Sequence, residues 1–164
     1  MELFEACRGG RLEEVRSLLQ TQSPNQQQDN GRTPLWIACA KGHVEIVRLL
    51  LEYGADHTPD NIGRTPLNRA CLSADIAVVR LLMDYDATMQ PKDTHTTPLT
   101  IACFHGSMEL IEFLVESGAD VNAEPDVEGY CPITMAANQR RDHIVMFLLR
   151  QGADPFVHTK VIRS

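Results

Sequence analysis

Apolar residues recur along the chain at the spacing of an amphipathic helix. Val44, Val47, Leu50 and Leu51 recur at i, i+3 and i+4 spacing. This spacing places the four side chains in one apolar stripe along a helix. We therefore predict a helix from about Val44 to Tyr53 whose apolar face is buried.

A shorter helix is predicted immediately before this one. Thr33 precedes Pro34, and a threonine hydroxyl can cap free N–H groups while proline suits the first turn of a helix. We expect this helix to run from about Pro34 to Lys41. Gly42 then separates the two helices, and Gly54 ends the second one, because glycine adopts the left-handed conformation at little steric cost.

The two-helix pattern occurs four times. The segments that begin each pair are Gly31-Arg-Thr-Pro-Leu-Trp-Ile-Ala-Cys, Gly63-Arg-Thr-Pro-Leu-Asn-Arg-Ala-Cys, His95-Thr-Thr-Pro-Leu-Thr-Ile-Ala-Cys and the looser Gly129-Tyr-Cys-Pro-Ile-Thr-Met-Ala-Ala. Successive copies are offset by 32, 32 and 34 residues. An apolar pair follows in phase in each copy, at Leu50-Leu51, Leu82-Met83, Leu114-Val115 and Leu148-Leu149. Two landmarks in phase over four copies indicate a structural repeat.

One pair of short helices cannot bury its apolar face, so we expect the pairs to stack around a continuous core. The first residues form a half-matching unit, which carries Glu14 where later units are aliphatic. Such a charge suits a capping repeat whose outer face meets water. We predict a single domain over 1–164, with an N-terminal capping repeat at 1–29, middle repeats at 30–60, 61–92 and 93–125, a last repeat at 126–155 and a tail at 156–164.

These segments resemble the ankyrin repeat, whose motif is Thr-Pro-Leu-His-x-Ala with a period of about 33 residues. The resemblance extends over roughly residues 3 to 155. It implies an all-α ankyrin-repeat solenoid of stacked antiparallel helix pairs, with β-hairpin fingers projecting from the loops between repeats. It also implies that the fingers and the inner helices, the first helix of each pair, form a concave protein-binding surface.

The chain departs from this pattern at several positions. The usual histidine after Thr-Pro-Leu is replaced by Trp36, Asn68, Thr100 and Thr134. The usual glycine is replaced by Ala74 and Arg140 between helices and by Asp86 after the second helix of the third unit. Because aspartate tolerates the left-handed region better than most residues, we expect Asp86 to cost about 1 kcal/mol without loss of the repeat.

Composition and charge narrow the classes of partner. The formal net charge is −7, and no cluster of Lys and Arg breaks the acidic balance along the sequence. Nucleic acid is therefore excluded as a partner. The chain contains neither a signal peptide nor an apolar run long enough for a bilayer, so no membrane association is expected. Five cysteines without an export signal indicate a reducing compartment, cytoplasmic or nuclear.

Cysteines and histidines in this chain do not form a recognisable chemical motif. Four cysteines recur every 32 residues, at Cys7, Cys39, Cys71 and Cys103. They follow the repeated alanine of each inner helix, and helices packed about 8–10 Å apart are too distant for a disulfide or a shared zinc ion. We interpret them as small buried packing residues. His105 with Cys103 is a conceivable catalytic pair, but residues two apart on a helix point in different directions. We predict no enzyme activity, no metal and no cofactor.

The ends of the inner helices are the candidate binding surface. Stacking is expected to place Leu72 and Phe104 side by side, where polar residues would serve solubility better. Alternatively, the two side chains pack on the fingers of their own repeats. Arg, Tyr and Trp contribute most to binding energy at protein interfaces. The predicted protein-binding residues are Arg32, Trp36, Lys41, Arg64, Leu72, Phe104, His105 and Tyr130.

Two of these arginines have an alternative role. Arg32 and Arg64 either contact an acidic segment of the partner or pair with Asp29 and Asp60 of their own fingers. A solvated pair of that kind contributes less than about 1 kcal/mol.

Two further features lie in the C-terminal half of the chain. The segment that ends at Asn122 is similar to ankyrin segments modified by an asparaginyl hydroxylase, which makes Asn122 a possible hydroxylation site; alternatively, it is a turn asparagine that bonds its own backbone. The last helix carries Met146 where earlier repeats are charged. Either the tail folds back, with Val157, Val161 and Ile162 covering this helix, or the chain is one domain of a longer protein.

The sequence therefore predicts a non-catalytic protein–protein interaction module, a scaffold or adaptor that binds a partner protein or peptide on its concave surface. A monomer, or one domain of a longer chain, is expected. The alternative is a substrate-recruiting or masking ankyrin domain of a larger multidomain protein, with or without an enzymatic domain. Both readings need a rigid, prebuilt surface, which loses little entropy when it binds.

Overall fold

The computed structural model of the protein describes residues 2–89, 96–125 and 129–157. Within these ranges all regular structure is α-helical, as predicted. The helices are α1 (Glu2–Arg8), α2 (Leu12–Leu18), α3 (Pro34–Lys41), α4 (Val44–Glu52), α5 (Pro66–Leu72), α6 (Ile76–Asp84), α7 (Pro98–His105), α8 (Met108–Glu116), α9 (Pro132–Asn138) and α10 (Asp142–Arg150). None of the described helices is long and apolar enough to cross a membrane.

Threonine caps set the start of three inner helices. The Oγ1 atoms of Thr33, Thr65 and Thr97 accept hydrogen bonds from backbone N–H groups three residues later, at 3.1, 3.1 and 3.2 Å. Proline occupies the first turn in each case. At α9 the residue before the proline is Cys131 instead of threonine. Its backbone N–H donates to Oγ1 of Thr134 at 2.8 Å. The predicted capping chemistry is thus confirmed for the three threonines.

The chain divides into two compact units, residues Met1–Thr88 and Met89–Ser164. In the first unit the inner helices α1, α3 and α5 pack in sequence, and α2, α4 and α6 form a second layer against them. In the second unit α7 packs on α9, and each of these helices also packs on the helix that follows it. Both units therefore consist of two layers of helices with an apolar interior.

Aliphatic side chains and cysteines fill these interiors. Leu50, Leu82, Leu114 and Leu148, one from each repeat, are fully buried. Cys7, Cys39, Cys71 and Cys103 are buried, as the packing interpretation predicted, and Cys131 is buried as well. Burial raises the pKa of the Cys7 and Cys103 thiols to about 12, so these thiols stay protonated at neutral pH.

Non-glycine residues occupy three turns where glycine is usual. Ala74, Asp86 and Arg140 have φ angles of 52°, 62° and 54°, all in the left-handed region. The turn at Asp86 keeps the hydrogen bond of its equivalents, because the Ala87 N–H bonds to the Leu82 carbonyl at 3.0 Å. The repeat is retained at Asp86, as predicted.

The prediction of β-hairpin fingers is wrong for the described residues, where the loops between repeats contain no strand. In the loop before α5, the Asp60 N–H bonds to the Arg64 carbonyl at 3.0 Å. A strand pair would also have a hydrogen bond from the Arg64 N–H to the Asp60 carbonyl. Here the Arg64 N–H bonds instead to Oδ1 of Asp60 at 2.9 Å. The aspartate side chain competes for the donor that a hairpin needs, and the loop becomes a tight turn.

Side chains at one repeated position link the ends of neighbouring repeats. The Asn25 amide bonds to the Gly54 carbonyl and the Asp56 N–H, at 3.1 and 2.8 Å. His57 takes this position in the next repeat and bonds to the Tyr85 carbonyl at 2.7 Å.

The charged residue of the capping repeat is placed as predicted, because Glu14 is exposed and pairs with Arg11.

Gly31→Ala is expected to lower the free energy of unfolding by about 3 kcal/mol, and Gly54→Ala by about 1 kcal/mol. Both glycines are left-handed, with φ of 76° and 78°, so an alanine is strained at either position. At Gly31 an added Cβ would also lie 2.7 Å from the Asn61 backbone nitrogen, whereas at Gly54 it would meet nothing within 4 Å. Urea denaturation of both variants measures the difference. Equal losses would show that the loop yields to the added methyl group.

The last helix exposes apolar side chains. Ile144 and Leu148 of α10 are buried, whereas Met146 is 51% exposed and Leu149 is also exposed. Of the tail residues that would cover this helix in the first of our two alternatives, Val157 is half-buried. Val161 and Ile162 lie outside the described residues. Covering of α10 by the tail stays a prediction.

Candidate protein-binding surface

Trp36 lies in the first turn of α3 and organises the surface of the first unit. It follows the Thr33 cap, and its side chain is only 5% exposed. Its indole Nε1–H donates a hydrogen bond to the Arg64 carbonyl, in the loop before α5, at 3.2 Å. Trp36, one of the predicted protein-binding residues, is thus a buried platform that joins two repeats.

Three arginines surround the Trp36 ring. The guanidinium carbons of Arg32, Arg69 and Arg64 lie 4.4, 5.2 and 5.6 Å from the ring centroid. At such distances the aromatic quadrupole attracts each cation. Arg32 and Arg64 come from equivalent loop positions and Arg69 from α5, so side chains that are distant in sequence meet over one ring.

Arg64 has a partner of its own. Its Nη2 and Nε atoms lie 2.7 and 2.9 Å from Oδ2 of Asp60, whose side chain is almost fully buried. Burial alone would raise the pKa of Asp60, but hydrogen bonds from Arg64 and from the Ile62 backbone hold that pKa below its ordinary value. The internal pairing that we considered for this arginine is therefore present.

Arg32 and Arg69 differ from Arg64, since neither forms an ion pair with a carboxylate of the described residues. The Nε atom of each is buried and has no hydrogen-bond acceptor there. Burial lowers the pKa of Arg69, and repulsion from Arg64 and Arg32 lowers it further. The pairing of Arg32 with Asp29 is absent.

These side chains line a cavity of about 320 Å³, which we call the basic pocket. Its lining residues are Arg8, Arg32, Trp36, Ile37, Ala40, Lys41, Arg64 and Arg69. Arg8 is paired with Glu5, and Lys41 is exposed at the end of α3. Four predicted site residues, Arg32, Trp36, Lys41 and Arg64, thus come together in one place.

The remaining predicted site residues are divided between the two units. Leu72, in the first unit, is half-buried at the end of α5. In the second unit Phe104 is 47% exposed, and His105 beside it is also exposed. Tyr130 is half-buried and lines a cavity of about 530 Å³ with residues of α9 and α10. The side-by-side placement of Leu72 and Phe104 stays a prediction.

Arg69 was missed by the sequence reasoning, although the sequence carries a signal for it. The equivalent inner-helix positions hold the apolar residues Ile37, Ile101 and Met135. A cation at a position that is otherwise apolar indicates a local role, and here it completes the basic pocket. Arg8 was missed as well, because the capping repeat matches the others only in part.

Geometry gives no support for the pair of Cys103 and His105 as a catalytic site. Cys103 is buried with a raised pKa, whereas His105 is exposed on the following turn. A reactive cysteine requires a lowered pKa. Among the described residues, no group of three or more His, Cys, Asp or Glu side chains is arranged to hold a metal ion.

Asn122 is exposed, but its amide is engaged in hydrogen bonds. It donates to the Gly152 carbonyl at 3.0 Å and accepts from the Asp154 N–H at 2.7 Å. These partners belong to the next repeat, so the amide does not bond its own backbone as the alternative supposed. Hydroxylation of Asn122 stays a prediction.

Comparison with known proteins agrees with the repeat pattern. A family model described as ankyrin repeats, in three copies, matches residues 3–93 and 84–159. No curated protein sequence matches the chain. Ankyrin repeats are in general protein–protein interaction modules. Since the matched segments extend over most of its length, the chain belongs to the ankyrin repeat family.

Proposed function

We propose that the protein is a non-catalytic adaptor that binds a partner protein or peptide through its inner helices and the loops before them. The observation that carries this proposal is the basic pocket. Trp and Arg are enriched among the residues that dominate binding energy at interfaces, and here they are gathered on adjacent repeats. Hydrogen bonds and ring contacts fix the Trp36 platform before any partner arrives, which limits the entropy lost on binding.

Phe104 supports the same proposal in the second unit. Ala102 and Cys103, which precede it on α7, are fully buried, whereas Phe104 is among the most exposed large apolar side chains of the described residues. An aromatic ring left in water at the end of an inner helix is available as an anchor for a partner. The proposed surface therefore comprises the basic pocket and Leu72 in the first unit, and Phe104, His105 and Tyr130 in the second unit.

The double variant Leu72→Ser, Phe104→Ser is expected to weaken partner binding at least tenfold. Phe104 is half exposed and Leu72 half-buried, so the free energy of unfolding should fall by only about 1–2 kcal/mol. Partners recovered with the wild-type protein are identified by mass spectrometry, purified and titrated against both proteins by calorimetry.

Glu112→Ser is the matched control, because Glu112 is exposed on α8 of the same unit. It should leave the dissociation constant unchanged. A double variant that binds as tightly as the wild type would refute the role of these two residues. A large loss of stability in the double variant would mean instead that the two side chains pack on their own repeats.

A masking or recruiting role within a longer protein is the second candidate. It is favoured by the exposed Met146 and Leu149 of α10, an apolar surface on the last repeat. In a masking role the proposed binding surface would contact another part of the same polypeptide, whereas in a recruiting role it would bind the substrate.

A further inference from the structure

The structure assigns an anion site to the basic pocket: we propose that Arg32 and Arg69 bind a doubly negative group on a side chain of the partner segment. This inference rests on the proposed function and specifies the chemistry of the partner. The group is either a phosphorylated side chain or a pair of neighbouring carboxylates. Both present several oxygens to guanidinium donors, which bind such groups through parallel hydrogen bonds.

The charge balance of the basic pocket favours a negative partner. Five cationic side chains line it in a chain whose net charge is −7. Two of them are neutralised, Arg8 by Glu5 and Arg64 by Asp60. Arg32, Lys41 and Arg69 have no carboxylate within ion-pair distance among the described residues. A group with two negative charges would match this excess better than a single carboxylate would.

Unsatisfied donors locate the site within the basic pocket. The Nε–H groups of Arg32 and Arg69 are shielded from solvent and have no acceptor in the described part of the chain. A buried donor without an acceptor costs free energy, and a small turn of either side chain that brought its Nε–H to a ligand oxygen would recover that cost. Trp36 holds both guanidinium groups in place, at 4.4 and 5.2 Å from its ring centroid. The two guanidinium groups are thus held beside the basic pocket before the anion binds.

The size of the basic pocket and its surroundings favour a peptide over a polyanion. A cavity of about 320 Å³ accommodates one or two side chains. Nucleic acids and anionic membranes require an extended basic surface. Two carboxylates lie beside these cationic side chains, because Glu5 pairs with Arg8 and Asp60 pairs with Arg64. An isolated charge cluster of this kind suits one anionic side chain of a protein segment.

The test follows peptide binding by the fluorescence of Trp36, which is the only tryptophan in the chain. Three nine-residue peptides of Gly, Ser and Ala carry at their centre a phosphoserine, two aspartates or two asparagines. We expect a saturable fluorescence change with the phosphoserine peptide or the Asp-Asp peptide. The dissociation constant should be at least tenfold lower than that of the Asn-Asn peptide. Raising the salt concentration should weaken binding, as expected for a partly exposed ion pair.

Arg69→Met tests the assignment with little risk to folding, because Met135 occupies the equivalent position in the last repeat. It should reduce affinity for the anionic peptide at least tenfold, and Arg32→Gln should act similarly. Arg48→Gln is the control, since Arg48 is an exposed arginine of α4 paired with Glu45. An equal loss in the Arg48 variant would reveal non-specific charge attraction and overturn the site.

The remaining outcomes are equally decisive. If all three peptides bind equally, the anion site does not exist. Tighter binding of phosphoinositide vesicles or of a single-stranded oligonucleotide than of either anionic peptide would overturn the assignment to a protein segment. The peptide titration requires no partner and does not involve Leu72 or Phe104, so its failure is distinguishable from failure of the proposed function.

Discussion

Replacing Trp36 by alanine is expected to lower the free energy of unfolding by about 4 kcal/mol, because it removes one of the largest buried side chains of the first unit. The ring is 5% exposed and carries a hydrogen bond to the Arg64 carbonyl. Its loss would leave a cavity and an unpaired carbonyl, and it would bring Arg32, Arg64 and Arg69 together without the ring that separates them. Urea denaturation followed by circular dichroism measures the change.

Trp36→Phe is the matched control for this prediction. Phenylalanine keeps an aromatic ring but lacks the indole N–H, so the expected loss is only about 1–2 kcal/mol. Threonine occupies the same position in two other repeats, at Thr100 and Thr134, so the helix itself tolerates a small residue there. A cost below about 1 kcal/mol for Trp36→Ala would therefore show that the ring does not support the arginines.

Stability is expected to fall steeply as the pH rises above about 9. Burial raises the pKa of Cys7 to about 12, and burial also raises the pKa values of Cys39 and Cys71, from an ordinary value of 9.0. The thiols ionise in the unfolded chain near pH 9 but stay protonated in the folded protein. Their contribution is fully present below pH 9 and is lost as the pH rises towards the folded pKa. Each thiol adds a slope of about 1.4 kcal/mol per pH unit.

The double variant Cys39→Ala, Cys71→Ala isolates this effect. Ala137 follows the repeated alanine of the last inner helix, where the other repeats have cysteine, so alanine is compatible with the position. The variant should show a shallower dependence of unfolding free energy on pH between 8.5 and 10.5, roughly 2–3 kcal/mol per pH unit less steep. The two proteins differ only at these two thiols, so identical slopes would contradict protection of the buried thiols.

Local features of the fold were predictable from the sequence. Thr-Pro pairs placed the starts of the inner helices, and the prediction from Pro34 to Lys41 matches α3 in full. Asp86 keeps the left-handed turn that glycine forms elsewhere. These features depend on residues that are close together in the chain, so the local sequence is sufficient to predict them. The continuation of one stack through all five repeats stays a prediction.

Features that depend on contacts between repeats were harder to predict. Trp36 is buried because Arg64 and Arg69, contributed by the next repeat, lie around it. A reading of one repeat at a time cannot show this. The finger prediction was wrong for a different reason, because either the carboxylate or the backbone carbonyl of Asp60 can accept the Arg64 N–H and the sequence does not show which one does.

The bonds of Asn25 and His57 across successive repeat boundaries have a consequence for how the first unit unfolds. Each bond joins one repeat to the turn of the next, so a terminal repeat cannot detach without breaking a bond that also orders its neighbour. In a linear array, stability is a sum of terms within repeats and terms between adjacent repeats. Strengthening the terms between repeats disfavours partly melted forms, and the first three repeats should therefore lose their structure together rather than one after another.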